Sequence, residues 1–477
     1  MARCRRQTFL WLCLCLPFML SGLFFVYVTF TVCQAMSQSH HHGGLASATH
    51  FVAPGAFNSG ALASRPVGPF WDLRPDRGAF WNGLQLLSDR KRNPILRGAR
   101  ALAPDAEEEE GDAPPRAGAA CGRDRGLISR RADFKTWPEQ VQEFALSMHC
   151  REYPLLRNQP HVCGIDGQEA PTLLMAIKSQ EGNFESRQAI RQTWGRDGWV
   201  TGLSGRGGVV RRVFLLGRQD ASAGPYADVA DLLEREKAGF RDILQWDFQD
   251  TFFNLTLKDV LFWRWFSRHC PRARFVFKGD DDVFVRTPAL LDTLGQAERE
   301  MRPGTKWKMR DFVVGDVIRN ALPLKETTNK YYIPETFYKG AYPPYAGGGG
   351  VVYSGALALR LERVSKRVHL FPIDDVYLGM CLQRLRVYPI HHYGFLTFDF
   401  PRGEAKKPCA YHTILLVHKR TPKEILKLWL GQKLAHPECA NKTLGFTQAP
   451  TRAKLDPVTS DLGPLKDTIS LLFLLNF

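Results

Sequence analysis

The sequence predicts an α/β fold, a Rossmann-like and mainly parallel sheet with helices on both faces, and three observations carry that prediction. Apolar runs of strand length, Leu173 to Ile177, Val209 to Leu216 and Ile243 to Trp246, recur through the middle of the chain. Between and after them lie segments of helical length and spacing, Phe184 to Trp194, Tyr226 to Phe240 and Leu257 to Cys270. The two types alternate up to a fourth run, Arg274 to Lys278, and that alternation argues parallel strands joined by crossover helices. Sheets of this kind bind ligands at the carboxyl ends of their strands.

The N-terminal elements set the topology. Residues 1–8 hold Arg3, Arg5 and Arg6, and Phe9 to Val32 then runs for 24 residues without a formal charge, where about 20 suffice to cross a bilayer. No Lys or Arg follows until Arg65, so the positive-inside rule places residues 1–8 in the cytosol and the rest across the membrane. The apolar stretch exceeds the core of a cleaved signal peptide and no A-x-A site follows it, so it reads as a retained anchor. Residues 33–130, rich in Gly, Ala, Pro and Arg and carrying the run Glu107 to Glu110, read as a flexible stem that cannot bury enough apolar surface to fold. Within it Phe70-Trp71 and Phe80-Trp81 form a ten-residue echo able to dock on a folded domain.

The folded domain is expected over 131–440. Hydrophobic residues at 44% and charged residues at 23% exclude wholesale disorder and a polytopic membrane protein. A net charge of +16 suits a nucleic acid, an anionic surface or a phosphate-bearing small molecule, and the lumenal topology removes nucleic acid from that set. In the predicted helix from Tyr226, residues Tyr226, Val229, Leu232 and Leu233 share one apolar face. Seven cysteines, Cys121, Cys150, Cys163, Cys270, Cys381, Cys409 and Cys439, lie beyond the anchor. In an oxidising compartment they predict disulfides with at least one thiol free or paired between chains. Cys381 and Cys409, in the same C-terminal subregion, are the pair expected first. Asn254 and Asn441 each open a glycosylation sequon.

Three carboxylates, Asp280, Asp281 and Asp282, stand between the apolar runs ending at Phe277-Lys278 and beginning at Val283. Grouped anions at a half-buried strand end are unfavourable unless a cation neutralises them, and hard divalent cations favour such oxygens. If the segment stays extended, Asp280 and Asp282 face one side and Asp281 the other. A second acidic pair, Asp374-Asp375, precedes an apolar helical stretch, and its simplest reading is a helix N-terminus. Between the two clusters Tyr342-Pro-Pro-Tyr345-Ala-Gly347-Gly348-Gly349-Gly350 reads as a loop that lets backbone approach a ligand. Gly205 to Gly208 reads as a surface turn.

These residues carry a resemblance. From about Cys150 to Cys439 the chain resembles glycosyltransferase family 31, the inverting β-1,3-glycosyltransferases of the Golgi. The motifs fall in family order: Arg187-Gln-Ala-Ile-Arg191-Gln-Thr-Trp194-Gly195, Val213 to Gly217, Asp250 to Thr256, Phe277 to Phe284, Gly347 to Gly350 and Ile373 to Gly379. Lys330-Tyr-Tyr-Ile-Pro-Glu335 and the Tyr342 to Gly350 segment are most similar to the N-acetylglucosaminyltransferase branch, and Phe80-Trp81 to Asn93-Pro-Ile-Leu96 to its polylactosamine-extending member.

The resemblance implies a GT-A fold, UDP-N-acetylglucosamine as donor, a galactose-terminated glycan as acceptor and Mn²⁺ as cofactor. It implies Asp282 and His418 as metal ligands, and Asp280, Asp281, Lys278, Arg187 and Arg191 around the donor. Asp375 matches the catalytic base with Asp374 beside it, and Tyr345, Gly348 and Gly349 face the acceptor. A Golgi type II membrane enzyme follows, with a homo- or hetero-oligomer left open. A β-1,3-galactosyltransferase using UDP-galactose, or an inactive lumenal glycan-binding or chaperone partner, are the alternatives. Two features depart from the family: Arg286 stands where the branch usually has Asn, and the tail 441–477 extends past the usual end.

Overall fold

The computed structural model describes residues 50–52, 62–64, 78–92, 121–126, 131–164, 169–219, 227–301, 308–400, 403–407, 409–433 and 437–440. The expected anchor 9–32, Asn441 and the tail 441–477 lie outside them. Among the described residues no helix is long and apolar enough to cross a membrane. Two compact units divide the chain: Met1–Arg74 with Lys91–Ala103, and Pro75–Arg90 with Pro104–Phe477. In the first, β1 (His50–Val52) pairs antiparallel with β2 (Leu62–Ser64).

The second unit follows the predicted alternation. In chain order it holds α1 (Phe80–Arg92), α2 (Glu139–Ser147), β3 (Leu155–Arg157), β4 (Leu173–Lys178), α3 (Phe184–Gln192), β5 (Gly198–Thr201), β6 (Gly207–Arg218), α4 (Ala227–Phe240), β7 (Ile243–Gln249), α5 (Leu255–His269) and β8 (Phe275–Asp280). There follow β9 (Phe284–Val285), α6 (Thr287–Glu300), β10 (Val313–Ile318), β11 (Tyr345–Ser354), α7 (Gly355–Ser365), α8 (Asp374–Leu385), β12 (Ile390–His391), β13 (Phe395–Leu396), β14 (Leu416–Val417), α9 (Pro422–Lys433) and α10 (Pro437–Ala440).

The large sheet has the order β12-β10-β11-β8-β4-β6-β7-β3, with β5 paired to β6. Its centre, β8-β4-β6-β7, is parallel. β11 pairs antiparallel with β8 and β10, β3 with β7, and β5 with β6. The sheet is therefore mixed rather than mainly parallel. The parallel strands read as continuous apolar runs because both faces are covered: along β4, Leu174 and Ala176 enter one core while Leu173, Met175 and Ile177 enter the other. Helices α5, α7 and α8 close the first face, and α3, α6 and α9 the second.

Four expectations change. The predicted stem contributes α1 to the folded unit, with Phe80 and Trp81 buried against Trp137, Tyr338 and Phe371. Leu232 is 51% exposed, and in α4 it is Leu233 that packs inward. Gly347 to Gly350 form part of strand β11, with Gly350 opposite Gly279, and are not a loop. The disulfides are Cys121–Cys150, Cys163–Cys270 and Cys409–Cys439. Cys381 is free because it lies on the buried face of α8, beside Tyr377, where burial pushes its thiol up to about 12. The Cys381–Cys409 pairing is thus overturned.

Candidate active site

The acidic segment leaves the sheet at the carboxyl end of β8, where Lys178 of β4 stands opposite Asp280 in register. A three-stranded sheet then sets its partner. β9 pairs antiparallel with β14, Phe284 opposite Val417, so the residues before β9 meet those after β14. His418 consequently reaches Asp282, its Nε2 standing 3.1 Å from Oδ1, and lies 3.8 Å from Asp280 Oδ2. Arg420 secures this turn: its backbone N–H donates to the Asp282 carbonyl, and its guanidinium to Asp399 and to the His418 carbonyl.

Ligand atoms of Asp280, Asp282 and His418 all lie within 4.8 Å of one another. His418 Nδ1 lies 3.1 Å from the Thr397 carbonyl, which can only accept, so Nδ1 carries a proton and Nε2 is the nitrogen turned towards the carboxylates. Asp282 Oδ1 is buried and accepts no hydrogen bond although His418 Nε2 is its neighbour. Two carboxylates and an imidazole nitrogen within this reach, with one of the carboxylate oxygens buried and without a hydrogen bond, fit a divalent cation. Burial opposes protonation of His418, but Asp282 and Asp280 outweigh it and raise the imidazole pKa. Burial likewise pushes Asp280 up to about 6. Both shifts describe ligands short of positive charge.

Asp281 faces the other way. Its carboxylate accepts from Ser179 at 2.6 Å and Asn183 at 2.9 Å, so it fastens the turn to the segment after β4 rather than joining the cluster. Arg187 and Arg191 also stand outside it. Arg187 is fully buried, donating to Glu236 and to Ser179, and Arg191 is paired with Glu236 and Asp242. The structure gives both arginines a framework role: Arg187 reaches the acidic turn only through Ser179 and Asp281. Arg286, at the position where the resemblance leads to Asn, is held by Gln432 and the Ile414 carbonyl.

Asp374 and Asp375 open α8, whose N-cap is Ile373 with no side-chain capping bond. Both therefore lie in the first turn at a helix N-terminus, as expected, without capping it through their side chains. Asp374 is bound by Lys178 and, at 3.1 Å, by Lys278, while Lys278 also pairs with Asp259 at 2.7 Å and approaches Asp375 at 3.6 Å. Burial alone would raise the Asp374 carboxyl, but the two lysines outweigh it and hold it well below the usual range. Asp375 is pushed upward, first by burial and then by the Asp374 anion. One anion of the pair is neutralised and fixed, and the other is left basic. Lys278, expected at the donor, belongs to this ion-pair cluster.

Strand β11 spaces the two groups. A Cβ on Gly348 would stand 2.7 Å from Asp375 Oδ2 and 3.9 Å from Asp280 Oδ2, and one on Gly349 would stand 3.0 Å from His418. Neither glycine has a positive φ, so what β11 requires here is space for the side chains on either side. Tyr345 begins the strand at the Asp375 side, and its hydroxyl pKa is raised by burial and then by Asp375. Tyr331 is raised in the same way, by burial and then by Asp375 and Asp280. Asn254, at the start of α5, donates to the Gln249 carbonyl, and its sequon partner Thr256 is fully buried.

Sequence reasoning missed Lys178, Asp259, Ser179 and Asn183. The available signal was charge in the wrong place: Lys258-Asp259 interrupts an apolar helix, and Lys178 ends an otherwise apolar strand.

A family model described as Galactosyltransferase matches residues 185–393. The chain is 44% identical over 380 residues to N-acetyllactosaminide beta-1,3-N-acetylglucosaminyltransferase 2 of Mus musculus, a match covering 78% of this chain and 89% of that protein. It is 46% identical over 326 residues to UDP-GlcNAc:betaGal beta-1,3-N-acetylglucosaminyltransferase 9 of Bos taurus, covering 64% and 77%. Over 295 residues it is 46% identical to N-acetyllactosaminide beta-1,3-N-acetylglucosaminyltransferase 4 of Homo sapiens, covering 61% and 72%. Likeness of this extent makes the chain a member of glycosyltransferase family 31, among its β-1,3-N-acetylglucosaminyltransferases.

Proposed function

We propose that the protein transfers N-acetylglucosamine from UDP-N-acetylglucosamine to the 3-hydroxyl of a terminal galactose, with inversion, on glycan chains of the N-acetyllactosamine type. The observation that carries the reading is that Asp375 and Asp280 converge on the space a side chain at Gly348 would fill, 2.7 Å and 3.9 Å from its Cβ position, which sets a base beside a cation-binding carboxylate. The names of the relatives support the donor and the acceptor.

Asp280, Asp282 and His418 would hold the divalent cation, which we propose to be Mn²⁺. Bound there, the ion supplies positive charge to the diphosphate leaving group. The remaining chemistry belongs to the chain. Asp375, its basicity raised by burial and by Asp374, takes the proton of the acceptor hydroxyl as that oxygen bonds to the anomeric carbon and the bond to the diphosphate breaks. A single displacement from an α-linked donor gives a β product. Lys178 and Lys278 orient Asp374 and hence the first turn of α8, while Tyr345, packed against Gly379 of that helix, lies on its inner side. We propose further that residues 9–32 anchor the enzyme in the Golgi membrane with the catalytic unit in the lumen, supported by the length of the uncharged run and the arginines before it.

A donor screen tests this reading. The full chain, given a galactose-terminated acceptor and Mn²⁺, should release UDP from UDP-N-acetylglucosamine and form a β-linked product, with release lost on chelation. Preferential use of UDP-galactose, or equal transfer after chelation, contradicts it.

A further inference from the structure

Helices α7 and α8 pack together and end near one another, at the opposite end of α8 from Asp375. Arg360 and Arg363 of α7, Arg367 just after it and Arg384 in the last turn of α8 line one cavity of ≈ 320 Å³, with Val364 and Leu385 as its apolar part. Arg384 is nine residues beyond Asp375, about 14 Å along the helix at 1.5 Å per residue, so this cavity is separate from the acidic site.

Two of the four guanidinia are anchored. Arg360 binds the Asp311 carboxylate and donates to the Arg310 carbonyl at 3.1 Å, and Arg384 is paired with Asp89 of α1. Arg363 and Arg367 are exposed, and the backbone between α7 and α8 is held by Gln85, which donates to the Arg367 carbonyl and accepts from the His369 N–H. Lys366 adds no surplus charge because it pairs with Glu362 at 2.9 Å. Among the described residues, Asp311 and Asp89 thus pair with Arg360 and Arg384, and Arg363 and Arg367 stand beside them at the same concavity. The carbonyl ends of the helices favour positive charge, yet they do not account for four arginines lining one half-open cavity.

We propose that this cavity binds a sulfate or phosphate monoester of a small organic molecule. Guanidinium forks match the oxygen edges of such tetrahedral anions and hold them by charge-assisted hydrogen bonds. The volume falls at the lower end of ligand sites, about 300–1,000 Å³, which leaves room for the group bearing the ester as well as the anion. Val364 and Leu385 offer that group an apolar contact.

Isothermal titration of the full chain in detergent, with and without excess UDP, tests the proposal. Galactose 6-sulfate and glucose 6-phosphate should bind, galactose should not, and added UDP should leave the affinity unchanged. The double variant Arg363→Gln/Arg367→Gln, altered only at exposed positions, should weaken the esters by about tenfold or more, the scale of a lost charge-assisted contact, while glycosyl transfer stays at its original rate. Inorganic sulfate binding as tightly as the esters, and lost in the same variant, would support the oxyanion site and make the free anion its occupant. Absence of binding by both esters, displacement by UDP, or affinity unchanged in the double variant would overturn it.

Discussion

At the residue scale, the two neighbouring aspartates of α8 are chemically different because their surroundings are. Asp374 is saturated by Lys178 and Lys278, whereas Asp375 meets one lysine at 3.6 Å and otherwise faces burial and the Asp374 anion. A base acts only when deprotonated, and a raised pKa moves the loss of that form to higher pH than the ordinary aspartate value of about 3.9. kcat/KM should therefore climb with pH along an acid limb centred well above that value. A limb at or below the ordinary aspartate range would contradict the assignment. The identity of these carboxylates could be read from the sequence, since Asp280, Asp282 and Asp375 stand in recognisable motifs. Their division of labour could not, because it depends on Lys178 and Asp259, which are remote in sequence and lie in no motif of acids.

At the element scale, helix α1 is the part of the folded unit least expected from composition. Its sequence FWNGLQLLSDRKR sits in a stretch rich in Gly, Ala and Pro. It is ordered from outside: Trp81 Nε1 donates to the Leu370 carbonyl at 3.0 Å, and the ring packs edge-on to Phe371, three residues before Asp374. Trp81→Ala should cost about 3–5 kcal/mol, the usual loss for a buried tryptophan, read as a lower unfolding midpoint in denaturant. A change within about 0.5 kcal/mol, the range of ordinary surface substitutions, would remove α1 from the core. Strands β4, β6, β7 and β8 were legible because burial on both faces leaves a continuous apolar run. β11 was not, since four successive glycines carry no alternation, and the strand is visible only through its pairing with β8 and β10.

At the scale of the whole molecule, long-range closure organises the site. Cys163–Cys270 ties the segment before β4 to the end of α5, and Cys409–Cys439 braces the region holding His418. A spare thiol among the seven cysteines from Cys121 onward was predictable by counting, while the pairing was not, because Cys381 is nearer Cys409 in sequence yet is enclosed within α8. Family membership was legible from ordered motifs, and the antiparallel part of the sheet was not, since crossover patterns describe only its parallel centre. The central claim is that one carboxylate on α8 takes the acceptor proton while the cluster at β8 holds donor and cation. Asp375→Asn tests it most directly, with turnover and Mn²⁺-dependent UDP affinity measured on the same preparation. Turnover should fall by about 10²–10⁴-fold, the usual contribution of a general base, with UDP affinity unchanged. Turnover within about threefold of the unaltered enzyme, far short of the loss of a base, would contradict the account.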